Sequence, residues 1–256
     1  MKVAWSAVNW IWMLTFCLWV QSAWAAGEAA VVLSASGTVL AKKTDGKIHA
    51  LAKDSTVNSG DVVITEKSSA ARLRFTDGST VILRPNSRLV IENYQFEEKN
   101  PKADSAVLNL VKGGLRTVTG LVGKRGNQDA HQTKSSAANI GIRGTDYALL
   151  LCEVGDAMCA AEFKQEMLDA ISNRIQGEVP PGLYLAVIEG VIIVSNNAGE
   201  KRFPAVVAGY VADFNTLPIE LTGDPGLIRL FPVLGNLPGV DDLRGDGAGQ
   251  AACLVR

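Results

Sequence analysis

Residues Gly60–Tyr94 read GDVVITEKSSAARLRFTDGSTVILRPNSRLVIENY, and this stretch decides the fold. Ala71, Leu73 and Phe75 alternate with Arg72, Arg74 and Thr76, the period-2 pattern of a strand with one wet face. Asp77-Gly78 breaks the run, and Thr80–Leu83 begins a second β-branched run. A two-residue Asp77-Gly78 loop would set Leu73 against Ile82 and Arg74 against Val81. A three-residue loop, Thr76-Asp77-Gly78 with Gly78 left-handed, pairs Phe75 with Ser79, Leu73 with Val81 and Ala71 with Leu83. The second register keeps the apolar residues on one face and both arginines on the other. It is the expected one, because a one-residue slip moves every side chain to the wrong face. Gly60-Asp61 turns the chain into a strand at Val62–Ile64, Arg84–Ser87 is the next turn, and Arg88–Tyr94 is a third strand.

These residues, in the form GD-V-IT---SA-RLRF-DGST--LRPNSRL-IE-Y, resemble the FecR domain, named for the ferric-citrate regulator of bacterial cell-surface signalling. The later Asn139-Ile-Gly-Ile-Arg-Gly-Thr-Asp-Tyr147 is similar to the second hallmark of that domain. The resemblance covers roughly Ser36–Phe214. It marks Gly60, Asp61, Asp77, Gly78, Gly141, Arg143, Gly144 and Asp146 as motif residues. In the family, an exported domain receives a signal from an outer-membrane transducer and relays it through a membrane helix to a cytoplasmic anti-sigma segment.

The start of this chain departs from that layout. Lys2 precedes a mostly apolar Val3–Val20, and Ala23-Trp24-Ala25 has the A-x-A form of a cleavage site. Residues 1–25 are therefore read as a signal peptide cut before Ala26. Cys17 lies inside the hydrophobic run behind the bulky Phe16, which disfavours a lipoprotein signal. The longest later apolar stretch, Leu183–Val194, is interrupted by Glu189-Gly190 and is too short to span a bilayer. The mature chain is expected to be soluble after export, in the periplasm or at the cell surface, and unable to relay a signal across a membrane alone.

About 230 mature residues suffice for one sizeable β domain with extensions. The net charge is −1, with acids and bases interspersed, so no basic stripe points to nucleic acid. Residues 26–214 are expected to form a mainly β domain, either a rolled β-sandwich or a solenoid-like stack. The resemblance leans the same way.

Along the chain, Gly37–Leu40 is a short strand and Asp45-Gly46 a turn. Polar Glu97–Asp104, with Pro101, is an exposed loop. Val107–Val111 is a strand, interrupted by Gly113-Gly114 and followed by Leu115–Val118. Gly123–Lys134 is a polar loop. In the second hallmark, Ile140 and Ile142 alternate with Gly141 and Arg143. Glycine there suggests a bulge or a close backbone approach, and Arg143 could clamp Asp146 across the Gly144 bend.

Cys152 and Cys159 flank six residues that include Gly155. Export to an oxidising compartment makes a disulfide the expected state. Metal binding would need further ligands, and the histidines, His49 and His131, are distant in sequence. Phe163, Met167, Ile171 and Ile175 recur four apart, predicting an inserted amphipathic helix over about 160–176 that Gly177 and Pro180-Pro181 end. Leu183–Ser195 is predicted as a hairpin around Glu189-Gly190, and Phe203–Val211 as a strand pair broken at Gly209. Residues 215–256 carry four prolines and a Gly-rich end, the composition of an extended tail. Cys253 is an odd thiol in it.

No catalytic set emerges. His49 and His131 sit in polar segments, no G-x-S-x-G elbow is present, and Gly120–Lys124 lacks the spacing and the following Ser or Thr of a phosphate loop. No catalytic residue, cofactor or metal is assigned. The function expected is a non-enzymatic binding or signalling module of the cell envelope. Its partner would be another envelope protein, a transducer or a regulator. The second reading is a structural or glycan-associated envelope protein, although exposed aromatics for sugar stacking are few.

Overall fold

The computed structural model describes residues 27–125, 127, 129–154, 179–224 and 226–231. The predicted signal peptide, the predicted helix at 160–176, Cys159 and Cys253 lie outside the described residues. Among the described residues, fifteen strands, β1 (Glu28–Ser36) to β15 (Ile219–Glu220), form a single continuous sheet.

The sheet is folded over so that two layers face each other. One layer runs β4 (Thr56–Asn58), β1, β6 (Ala70–Phe75) and β7 (Thr80–Leu83), then the later halves of β9 (Ser105–Val118) and β11 (Asn139–Cys152). It continues through the first half of β12 (Gly182–Asn196) to β14 (Ala208–Val211) and β15. The second layer runs β3 (Ile48–Ala50), β2 (Val39–Lys42), β5 (Val62–Thr65), β8 (Arg88–Gln95) and the first half of β9. It continues through β10 (His131–Lys134), the first half of β11 and the second half of β12 to β13 (Gly199–Pro204). Of these pairings only β9 with β10 is parallel. The architecture is thus a rolled β-sandwich.

Three long strands belong to both layers, and each turns the corner at a left-handed glycine: Gly113 (φ +76°), Gly144 (φ +64°) and Gly190 (φ +82°). L residues rarely adopt such angles. At Gly190 space forbids a side chain as well, since a Cβ would lie 2.5 Å from the Gly144 carbonyl oxygen. Two of these bends and one loop correct three sequence readings. Gly113-Gly114 does not interrupt the strand but kinks it. Glu189-Gly190 bends a single 15-residue strand and makes no hairpin. The last strand pair breaks at 205–207, and Gly209 lies inside β14.

Alternation along each strand fills the interior. Val39, Val63, Leu89 and Leu108 from one layer meet Leu73, Val81, Leu115, Leu149 and Leu185 from the other, all essentially buried. The hairpin of β6 and β7 has the predicted register: Leu73 opposes Val81, Ala71 opposes Leu83, and the Phe75 N–H donates to the Ser79 carbonyl across Gly78. The later half of β11 and the first half of β12 are buried on both faces. Their outward residues Ala148, Leu150, Tyr184 and Ala186 join Ile82, Tyr210, Leu227 and Phe231 in a second cluster. Within the expected tail, β15 therefore extends the sheet, and the helical turn α1 (Leu227–Leu230) with Phe231 packs on it. Tyr184 and Tyr210 stack at 4.8 Å and donate to the carbonyls of Pro180 and Pro181.

Candidate functional site

The two hallmark turns meet at one end of the roll. Asp77, in the β6–β7 turn, is buried, and its carboxylate accepts from the Ser79 N–H (2.9 Å), the Ser79 hydroxyl (2.7 Å), the Tyr94 hydroxyl (3.2 Å) and the Val122 N–H (3.1 Å). The Asp77 N–H donates to the Tyr94 oxygen at 2.9 Å. Burial pushes the Tyr94 phenol well above its ordinary range.

Segment 119–125, which follows β9, bridges the turns. Its Leu121 N–H donates to the Asp77 carbonyl, and the Gly120 N–H to the Ser79 hydroxyl. A Cβ on Gly120 would lie 2.4 Å from the Asp77 carbonyl oxygen, so this contact demands glycine. On its other side the Thr119 N–H and hydroxyl both donate to the Thr145 carbonyl, and the Thr145 N–H donates to the Thr119 oxygen at 2.7 Å. Gly120 thus serves close backbone packing, whereas Gly123 lies against the side chains of His131 and Thr119.

Beneath this segment lies His131, 1% exposed at the start of β10. It was expected in a polar loop, but β10 alternates and turns His131 and Thr133 inward. Neither ring nitrogen has a hydrogen-bond partner in the structure. Desolvation pushes its pKa down to about 4, against the opposing pull of Asp77. Tyr147, the last hallmark residue, is fully buried with its hydroxyl 2.8 Å from that of Thr133, and burial raises it to about 12.

The other motif residues divide into framework and surface. Gly60 leads into β5, its N–H donating to the Ile91 carbonyl. Asp61 is buried, pairs with Lys43 at 2.6 Å and accepts from the Asn58 N–H at 2.7 Å. Asp146 takes a bidentate ion pair from Arg116, at 2.9 and 2.6 Å, in place of the expected clamp to Arg143. Arg116 lies on the neighbouring strand and the same face, whereas Arg143 is carried away by the Gly144 bend and is exposed. Gly141 makes no close approach: a Cβ there would meet nothing nearer than Ile193 at 3.8 Å. Cys152 is buried at the end of β11. His49, on β3, is exposed. Among the described residues no group of three His, Cys, Asp or Glu side chains could hold a metal, and no helix is long and apolar enough to cross a membrane.

The elements from Asp61 through the hallmark bend of β11 coincide with a known family. Residues 61–161 match the FecR protein family. This FecR segment contains both turns and the bridge between them. No curated protein matches the chain. Two crystal structures of a protein provisionally assigned as an anti-sigma factor from Parabacteroides distasonis ATCC 8503 are similar to it, at 9% and 10% identity with TM-scores of 0.42 and 0.43. Each similarity covers 66% of this chain and 62% of that one.

Proposed function

We propose that the chain is a non-enzymatic, exported FecR-type module of the bacterial envelope, composed of a signal peptide (1–25), a β domain (26–214) and a C-terminal extension (215–256). It acts by binding another envelope protein, a transducer or regulator. The observation that carries this reading is how the hallmark residues are used. Asp77, Asp61, Gly144 and Asp146 are spent on hydrogen bonds, an ion pair or a bend that hold the roll rigid. The layer that ends in β3 and β13 offers its edge backbone for strand addition, with Ile48 on β3 62% exposed.

The test is site-specific photocross-linking in a bacterium exporting the chain, with the probe walked along β3 and β13. The expected result is a chain beginning at Ala26 that forms a discrete adduct with one envelope protein. Recovery only of the uncleaved chain, or adducts with cell-wall glycan alone, would overturn the reading.

Cys152, buried at the end of β11, is proposed to form a disulfide with Cys159, stabilising by roughly 2–3 kcal/mol through loop closure. Alkylation of the unfolded mature chain should tag one thiol, Cys253, before reduction and three after it. Three tags without reductant would disprove the pairing.

A further inference from the structure

Two hallmark residues, Gly141 and Arg143, have no part in the framework, and both point outward from the same layer. Its inner face is filled by Ala41, Val63, Leu89, Ile91, Leu108, Ile140, Ile192 and Val194. The alternate positions therefore face out, and the described residues leave them uncovered. Half-exposed Leu40, Ile64, Val90, Val107, Val191 and Ile193 form an aliphatic ground there. Nine strands at about 4.8 Å spacing make it roughly 40 Å wide, the scale of a protein–protein patch.

Its charge is lopsided. Lys134 is matched by Glu92 at 2.8 Å, and Lys112 by Glu153 at 3.2 Å. Lys42, Arg88, Arg143 and Arg202 are exposed and have no acidic partner within ion-pair distance among the described residues, against two exposed acids left over from these pairs, Glu66 near Arg88 and Glu200 at the β13 edge. Gly141 lies in the row Val107–Gln132–Gly141–Ile193–Arg202. With room for a side chain and none present, it leaves a dent beside Arg143 and two strands from Arg202.

We propose that this face, centred on Gly141, docks an acidic and partly apolar protein surface, whose carboxylates meet Arg143 and Arg202 and whose side chain enters the dent. The proposal rests on the binding reading above and names the partner's chemistry. A polysaccharide would match the cations but not the aliphatic ground. A membrane would need protruding apolar groups, which a flat sheet face lacks.

The experiment places the photocross-linker at Gln132 and Ile193 on this face, at Ile48 on the edge, and at Thr80 on the other layer, in the exported full chain. The expected result is adducts from Gln132 and Ile193 but not from Thr80, with the attachment point mapped to an acidic stretch of a single protein. Arg143→Glu with Arg202→Glu should cut their yield at least tenfold, while Arg143→Lys with Arg202→Lys retains most of it. All four positions are exposed or half-exposed, and an unchanged melting temperature shows the fold intact. Adducts from Ile48 alone would overturn this proposal and leave the binding reading standing. Adducts to lipid, to glycan, to a second copy of the chain or to a non-acidic segment, or indifference to charge reversal, would also overturn it. No adduct from any position would remove both.

Discussion

Asp77→Ala should cost about 4 kcal/mol of folding stability. The carboxylate accepts four hydrogen bonds in a buried site, and truncation strands the Val122 N–H and weakens the hold on Tyr94 and Ser79. A hydrogen bond to a charged acceptor contributes roughly 1.5–3 kcal/mol, and an orphaned buried donor costs about 1–3. The bonds act together, so the sum is not additive. A domain of this kind has some 5–15 kcal/mol in total, so the loss is a large share. Asp77→Asn keeps the shape and one acceptor oxygen and should cost about half as much. Urea unfolding measures both. In the Ala variant, hydrogen exchange should quicken first at Leu121 and Val122. An Ala variant within 1 kcal/mol of the parent would show that the bridge is held by something else.

Acid should weaken the domain through His131. Its pKa in the fold is pushed down to about 4, against about 6.5 in the unfolded chain. As pH falls, the unfolded chain takes up the proton first. Stability from this group is therefore complete above pH 6.5, drains away between 6.5 and 4, and is lost no further below 4. A gap of that size corresponds to about 3 kcal/mol. Asp77 is the charged neighbour that opposes the shift. His131→Leu removes the titration and replaces two unpartnered nitrogens with apolar surface. Its unfolding free energy should fall by about 3 kcal/mol less than the parent's between pH 7 and 4. Superimposable pH profiles would contradict the assignment.

Much of the fold was legible in short-range patterns. The β6–β7 register followed from six alternating residues and one Asp-Gly, because a tight turn and one buried face leave a single consistent pairing. The long strands were not legible. A left-handed glycine looks the same in sequence whether it reverses a hairpin, as at Gly78, or bends a continuing strand, as at Gly190. Only the partners on either side decide, and they come from residues far away. The same limit hid the Arg116–Asp146 pair, 30 residues apart, behind the nearer Arg143. His131 was obscured by its polar neighbours. The alternation His131, Gln132, Thr133, Lys134 was the available signal, but none of these side chains is apolar.

The shared strands also fix what counts as a unit. Because β9, β11 and β12 each run through both layers, there is no seam along which one layer could melt and leave the other standing. The FecR segment, residues 61–161, holds the two hallmarks but stops short of β1, which completes one side of β6, and of β12, which completes one side of β11. Recognition by sequence and pairing in the fold therefore have different borders: the motif is a passage within a sheet whose pairings, among the described residues, reach from β1 to β15.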